Sequence, residues 1–327
     1  MAMISYIEAV TQALREEMLR DQRVFILGED VGVRGGVFRA TAGLYEEFGE
    51  SRVIDAPLAE SAIAGVAIGA AAYGMRPIAE MQFADFIMTA VNQIVNEAAK
   101  MRYRSNGDWN CPVVIRAPYG GGVHGALYHS QSIEAMFCNV PGLKVVAPST
   151  PYDVKGLLRS AIHDNDPVLF LEHKRCYRLI KGEVPDTDYT VPIGKAEIKR
   201  DGSDLTVFAY GLMFHYVMQA AEKLALEGVQ TQVVDVRTLY PLDRETIIAA
   251  AKSTGKVLIV HEDNKEGGLG SEISAVIAEE CLFDLDAPIK RLCGPDVPAM
   301  PYSPPMEKFF MLGPDKIYLA MKELAEF

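Results

Sequence analysis

Short apolar runs alternate with longer helical runs through most of the chain, and this constrains its fold more than any other feature. RVFILGED (23–30), MRPIAEMQF (75–83), CPVVIRAP (111–118), LKVVAPS (143–149) and PVLFLEHK (167–174) read as buried strands. Between them, SAIAGVAIGAAAYG (61–74), ADFIMTAVNQIVNEAAKMRYRS (84–105) and DVKGLLRSAI (153–162) read as helices, the second a single long amphipathic one. Continuous apolar strands joined by helical crossovers predict a parallel sheet covered on both faces. The N-terminal stretch has no basic region followed by an apolar core. It reads as an amphipathic helix with Ile4, Ile7, Val10, Leu14 and Met18 on one face, so a signal peptide is not expected.

The alternation relaxes over KGEVPDTDYTVPIGK (181–195), the best linker candidate, and then resumes. SDLTVFAYG, QTQVVDVRT and KVLIVHED are strand-like, separated by MFHYVMQAAEKLALEG and RETIIAAAKSTG and followed by SEISAVIAEECL. The expectation is an α/β protein of two domains, 1–185 and a smaller 186–327, closing in a proline-rich irregular stretch and a short helix. Gly65 and Gly69 lie four apart on one helix face. They predict a close helix contact, within the subunit or across a subunit boundary.

Composition narrows the chemistry. A net charge of -12 with acidic residues spread along the chain disfavours nucleic acid and fits a soluble enzyme or a subunit with basic partners. Five separated cysteines with no CxxC argue for reduced thiols in a cytoplasmic setting, not a disulfide frame or a zinc site. The longest small, apolar run is too short to span a bilayer, so no membrane role is expected. No G-x-G-x-x-G opens a helix after a strand, and no P-loop occurs, which counts against nicotinamide and nucleotide sites.

Two stretches carry candidate chemistry. GGGVHGALYHSQS (120–132) follows a strand and holds His124 and His129. Its glycines suit a phosphate cradle near Arg116, its histidines lack a third metal ligand, and a loop imidazole suits proton transfer or plain surface polarity. In PLAESAIAGVAIGAA (57–71), Glu60 opens a helix of small residues. Either it caps the helix, or it is a carboxylate in an apolar pocket that shares a proton with a ligand.

Taken together, ILGEDVG, PLAESAIAGVAIGAA, QFADF, GGGVHGALYHSQS, PGLKVV, PSTPYD and VVDVRTLYPLD resemble the beta subunit of the thiamine-diphosphate-dependent decarboxylase of 2-oxo acid dehydrogenase complexes. The resemblance runs from about Tyr6 to Phe327. GALYHSQS and HKRCYRLIKGEVP are most similar to the branched-chain type, with the pyruvate (or acetoin) type as runner-up. It implies a transketolase-like fold, a pyrimidine-binding domain followed by a C-terminal domain. It also implies an alpha subunit in an α2β2 heterotetramer, which holds diphosphate and Mg2+, and a lipoylated acyltransferase core as recipient of the acyl group. The magnesium motif, GDG followed by NN, is missing from this chain.

Position by position, the resemblance implies that Glu60 hydrogen-bonds the pyrimidine N1′ of thiamine diphosphate. Phe86 stacks on that ring, Leu58 contacts it, and Gln82 lies nearby. His129 is implied in acyl transfer to lipoyl. A potassium site built largely from carbonyls is implied at SAIHDND, with Ala161, Ile162, Asp164 and Asp166 and with Val113 nearby. Asp166 stands where asparagine is common, and a solvated acidic turn is the competing reading.

Overall fold

The computed structural model describes residues 1–327. The chain divides into two compact units, Met1–Tyr119 with Met136–Ile193, and Gly120–Ala135 with Gly194–Phe327.

In the first unit six parallel strands run in the order Lys144–Val146, Val168–His173, Val114–Tyr119, Arg76–Glu80, Val24–Gly28, Val53–Asp55. The central strands are buried along nearly their whole length, which explains apolar runs in place of alternation. The helix Tyr6–Arg20 packs against the helix Pro151–His163. Its start is set by a capping box. Ser5 Oγ accepts from the Glu8 amide at 3.4 Å, and Glu8 Oε2 accepts from the Ser5 amide at 2.7 Å. The helix therefore begins after Ile4, which belongs to a strand, Ala2–Ser5, paired antiparallel with Lys181–Val184. The first residues of the expected linker are thus an ordered strand.

The stretch 84–105 is not one helix. Ala84–Ala90 is a 3₁₀ helix, Asn92–Ala98 a π-type helix, and Met101–Arg104 a single α turn. The first two pieces pack on the helix Glu60–Ala72. Those tertiary contacts override the helical periodicity, and such irregular turns are frequent beside functional sites. Gly65 lies against the Gln93 side chain, whereas Gly69 faces open space. Ala62, Gly65, Val66, Gly69 and Tyr73 form an exposed face of the helix and the turn after it.

A buried ion cluster ties the central strands together. Arg116 donates from Nη1 to Glu80 Oε2 at 2.5 Å, and from Nε and Nη2 to the two oxygens of Glu172 at 2.6 and 2.7 Å. The Tyr177 hydroxyl adds a bond to Glu172 Oε2 at 2.6 Å. Burial pushes the Glu80 carboxyl upward while the Arg116 charge pulls it down. The Met81 amide then donates to the Arg116 carbonyl at 2.9 Å, which anchors the chain that leads into Gln82 and Phe86.

In the second unit the sheet order is Lys290–Gly294, Val257–Asn264, Leu205–Ala209, Thr231–Asp235, Glu197–Arg200. The last is an antiparallel edge on an otherwise parallel sheet. The helices Gly211–Ala225, Arg244–Thr254, Leu269–Cys281 and Pro314–Ala325 accompany this sheet. No helix of the molecule is long and apolar enough to cross a membrane.

Candidate active site

Glu60 is the first residue of the helix Glu60–Ala72, after Ala59, and is only 7% exposed. Its carboxylate bonds none of the free amides at that helix end. Its one hydrogen bond comes from Thr89, whose Oγ1 lies 3.1 Å from Oε2 and 3.2 Å from the Phe86 carbonyl. The tight turn of Ala84–Ala90 is what carries Thr89 there. Oε1 is left for a donor that the chain does not supply. The carboxylate thus makes no capping hydrogen bond, although the helix dipole still favours negative charge at this end.

More negative charge stands close by. The Glu29 carboxyl is pushed up, chiefly by burial, then by the charges of Asp30 and Glu60. Gln82 Nε2 donates to Asp30 Oδ2 at 3.4 Å. Phe86 is half-buried and meets Phe83 edge-on, with ring centroids 5.6 Å apart. Leu58, on the turn before the helix, is 72% exposed. Glu60, Leu58, Gln82 and Phe86 thus all belong to the first unit, and Thr89 and Glu29 join them.

His129 belongs to the second unit, on the segment Gly120–Ala135. The glycine turn closes on itself through the Gly120 amide and the Gln131 carbonyl, 3.0 Å apart. Its amides are already taken by two buried carboxylates. Gly121 donates to Glu262 Oε1 at 2.5 Å, while Gly122 and His124 both donate to Glu307 Oε1 at 3.1 Å. The cradle that suits a phosphate therefore holds an internal anion. His124 is exposed, with Nδ1 2.5 Å from Glu307 Oε2, so it belongs to this clamp. A Cβ on Gly125 would lie 2.6 Å from the His129 carbonyl oxygen and 2.8 Å from its Cβ. Only glycine lets the turn lie against His129.

The second unit also buries Glu134, which accepts from the Tyr210 hydroxyl at 2.8 Å. Burial, and then the charges of Asp263 and Glu262, push its carboxyl up to about 8. Burial likewise pushes Asp263 up to about 6.

At the expected potassium turn a cation from the protein is already present. Arg76 Nη1 donates to the carbonyls of Ile162 at 2.8 Å and Asp164 at 2.9 Å, and Nη2 to Asn165 Oδ1 at 2.8 Å. Lys144 pairs with Asp164 at 2.6 Å, and Arg102 with Asp166 at 2.5 Å. The Ala161 carbonyl accepts from the Asp164 amide, and that of Val113 from the Val168 amide. A guanidinium bonded to two of the carbonyls repels a metal ion at the same atoms, so these residues, as arranged, do not fit potassium. No group of three or more His, Cys, Asp or Glu side chains that could hold a metal ion occurs elsewhere. All five cysteines are free thiols.

Sequence reasoning missed Thr89, Glu262 and Glu307. Thr89 lay inside a run read as plain helix, and Glu307 inside an irregular proline-rich stretch; neither context carries a signal. Glu29 lies within ILGEDVG, where nothing local marks it as a neighbour of Glu60.

Residues 2–180 match the family described as the transketolase pyrimidine binding domain, and residues 194–317 the transketolase C-terminal domain. The chain is 71% identical over 327 residues to the 2-oxoisovalerate dehydrogenase subunit beta of Bacillus subtilis, covering 100% of both chains. It is 49% identical over 303 residues to the pyruvate dehydrogenase E1 component subunit beta of the same organism, covering 93% of each. Among solved structures it is similar to a split gene transketolase described as an inactive beta4 tetramer. There the TM-score is 0.80, with 26% identity and 99% of each chain covered.

Proposed function

Because this chain belongs to the family of beta subunits of thiamine-diphosphate-dependent 2-oxo acid dehydrogenases, we propose that it acts with an alpha subunit to decarboxylate branched-chain 2-oxo acids. The acyl group then passes to lipoyl on an acyltransferase core. The observation that carries this reading is the Glu60 carboxylate. It is buried and tied at Oε2 by the Thr89 hydroxyl, which also reaches the carbonyl of the half-buried Phe86. That donor set fits an aminopyrimidine, whose N1′ accepts or donates a proton and whose face stacks on an aromatic ring.

Bound thiamine diphosphate supplies the electron sink for decarboxylation. Glu60 holds a proton against the ring nitrogen, Phe86 and Leu58 orient the ring, and Gln82 borders it. His129 donates a proton during acyl transfer. Residues 1–185 serve the pyrimidine and 186–327 form the C-terminal domain; the family matches, ending at 180 and resuming at 194, support a division in that region, while the compact units put 120–135 with the second part and 186–193 with the first. The alpha subunit holds most of the Mg2+ and diphosphate contacts in an α2β2 assembly. The exposed small-residue face of the helix Glu60–Ala72 supports a subunit contact there. The working site is the cytoplasm. At the SAIHDND turn Arg76 serves in place of potassium. Exchanging K+ for Na+ then leaves Tm unchanged, and a shift above about 2 °C would restore the metal.

Pyruvate is the second reading, favoured by the pyruvate dehydrogenase relative. The test is decarboxylation by the chain co-purified with its alpha subunit, thiamine diphosphate and magnesium, on 3-methyl-2-oxobutanoate and on pyruvate. Preference for the branched acid, with no turnover by the isolated chain, is expected. Preference for pyruvate would overturn the substrate, and turnover by the isolated chain would overturn the shared site.

A further inference from the structure

The loop bearing His129 carries backbone strain. His124 and Ala126 both adopt a left-handed φ of 56°, a region that side chains other than glycine rarely enter. Gly120 and Gly122 are left-handed as well, at 85° and 78°. A turn of this kind points its amides inward and makes a small cup for an anion. Here the cup is filled by Glu307, from the helix Pro304–Phe310, a side chain only 5% exposed. Oε1 receives the amides of Gly122 and His124, and Oε2 receives the His124 imidazole. Glu262 takes the neighbouring Gly121 amide.

Four features thus agree: strained backbone, converging amides, a buried carboxylate, and a glycine pressed against His129. We propose that Glu307 is a positioning residue for acyl transfer, holding the 120–132 turn in the one conformation that presents His129. Glu307 does not touch substrate; it acts through the backbone of Gly122 and His124. Uncompensated, the cup would lose its anion and the left-handed residues would relax. This inference rests on His129 as the acyl-transfer histidine.

The test uses the complete enzyme with its alpha subunit and lipoylated acceptor domain. Glu307→Ala is expected to lose hydrogen-exchange protection across 121–126. Its acyl transfer should fall at least tenfold more than decarboxylation measured with an artificial acceptor. Sodium formate, small enough to refill the cup, should restore both protection and transfer where sodium chloride does not. A stably folded Glu307→Ala enzyme with unchanged protection, with full transfer despite lost protection, or with no formate response would overturn the proposal. Should that variant fail to assemble, Glu307→Gln keeps one acceptor oxygen for both amides and should retain transfer within threefold. A tenfold loss with protection intact would overturn the proposal. His129→Ala separates the two ideas: equal losses in both assays there remove the role of His129, while amide exchange in Glu307→Ala still reads the clamp.

Discussion

Glu60 and His129 are carried by two different kinds of structure. Glu60 stands at the start of a regular 13-residue helix, and the segment facing it is anchored to a strand that passes through a buried ion cluster. His129 follows a short 3₁₀ turn in a loop with two non-glycine left-handed residues, held by carboxylates more than 130 residues away in sequence. One carboxylate is placed by secondary structure and packing; the imidazole is placed by a few hydrogen bonds to buried charges. The difference teaches that the first position tolerates local change so long as the sheet stands, while the second depends on single distant residues.

The sharpest way to break this comparison is at Glu60. Glu60→Gln should lower decarboxylation by about 10²–10⁴-fold, the span of a lost proton-transfer group, while the chain still folds and joins its alpha subunit. Steady-state decarboxylation and size-exclusion chromatography check both halves. Full activity would remove Glu60 from the chemistry.

The loop side is tested by His129→Ala. Acyl transfer to a lipoylated domain should fall about 10²-fold, and decarboxylation with an artificial electron acceptor by less than about tenfold. A matched loss in the two assays would mean that the histidine serves the first step too.

A smaller effect separates the units by pH. Glu134 and Asp263 hold their protons more tightly folded than unfolded, since burial raises both carboxyls. Between the unfolded value near 4.5 and about pH 8, the folded chain therefore binds more protons, and stability falls as pH rises. Glu134→Gln keeps an acceptor for the Tyr210 hydroxyl and removes the titration. Its Tm should exceed that of the parent by several degrees at pH 8, with the difference shrinking toward pH 5. Thermal melts at the two pH values decide it, and a variant less stable at pH 8 would refute the assignment.

The legibility of the two regions in the sequence follows the same divide. Strands such as VFILG and VLFLEH were legible because a parallel sheet buried on both faces leaves unbroken apolar runs. The helix of small residues was legible too, and Glu60 with it. The 84–105 stretch was not, because its helical periodicity is overruled by packing on that helix, and this bends Thr89 to the carboxylate. Nor was the partner of the glycine turn. GGGVHG states that amides will converge, but not that Glu307 will fill them, since nothing local marks a glutamate in a proline-rich segment.

By itself the sequence determined the α/β class and most of the strands and helices, which are written in local periodicity and turn residues. The candidates Glu60, Phe86 and His129 came through motifs that resemble a known family. Only the tertiary structure decided that Thr89 ties one oxygen of Glu60, that Arg76 takes two of the carbonyls expected to bind potassium, and that Glu307 fills the turn before His129. The physical reason is range. Periodicity acts over a few residues, whereas the pairing of a buried charge is settled by whichever distant group folding brings within 3 Å or so, because a buried charge without a partner is too costly to keep.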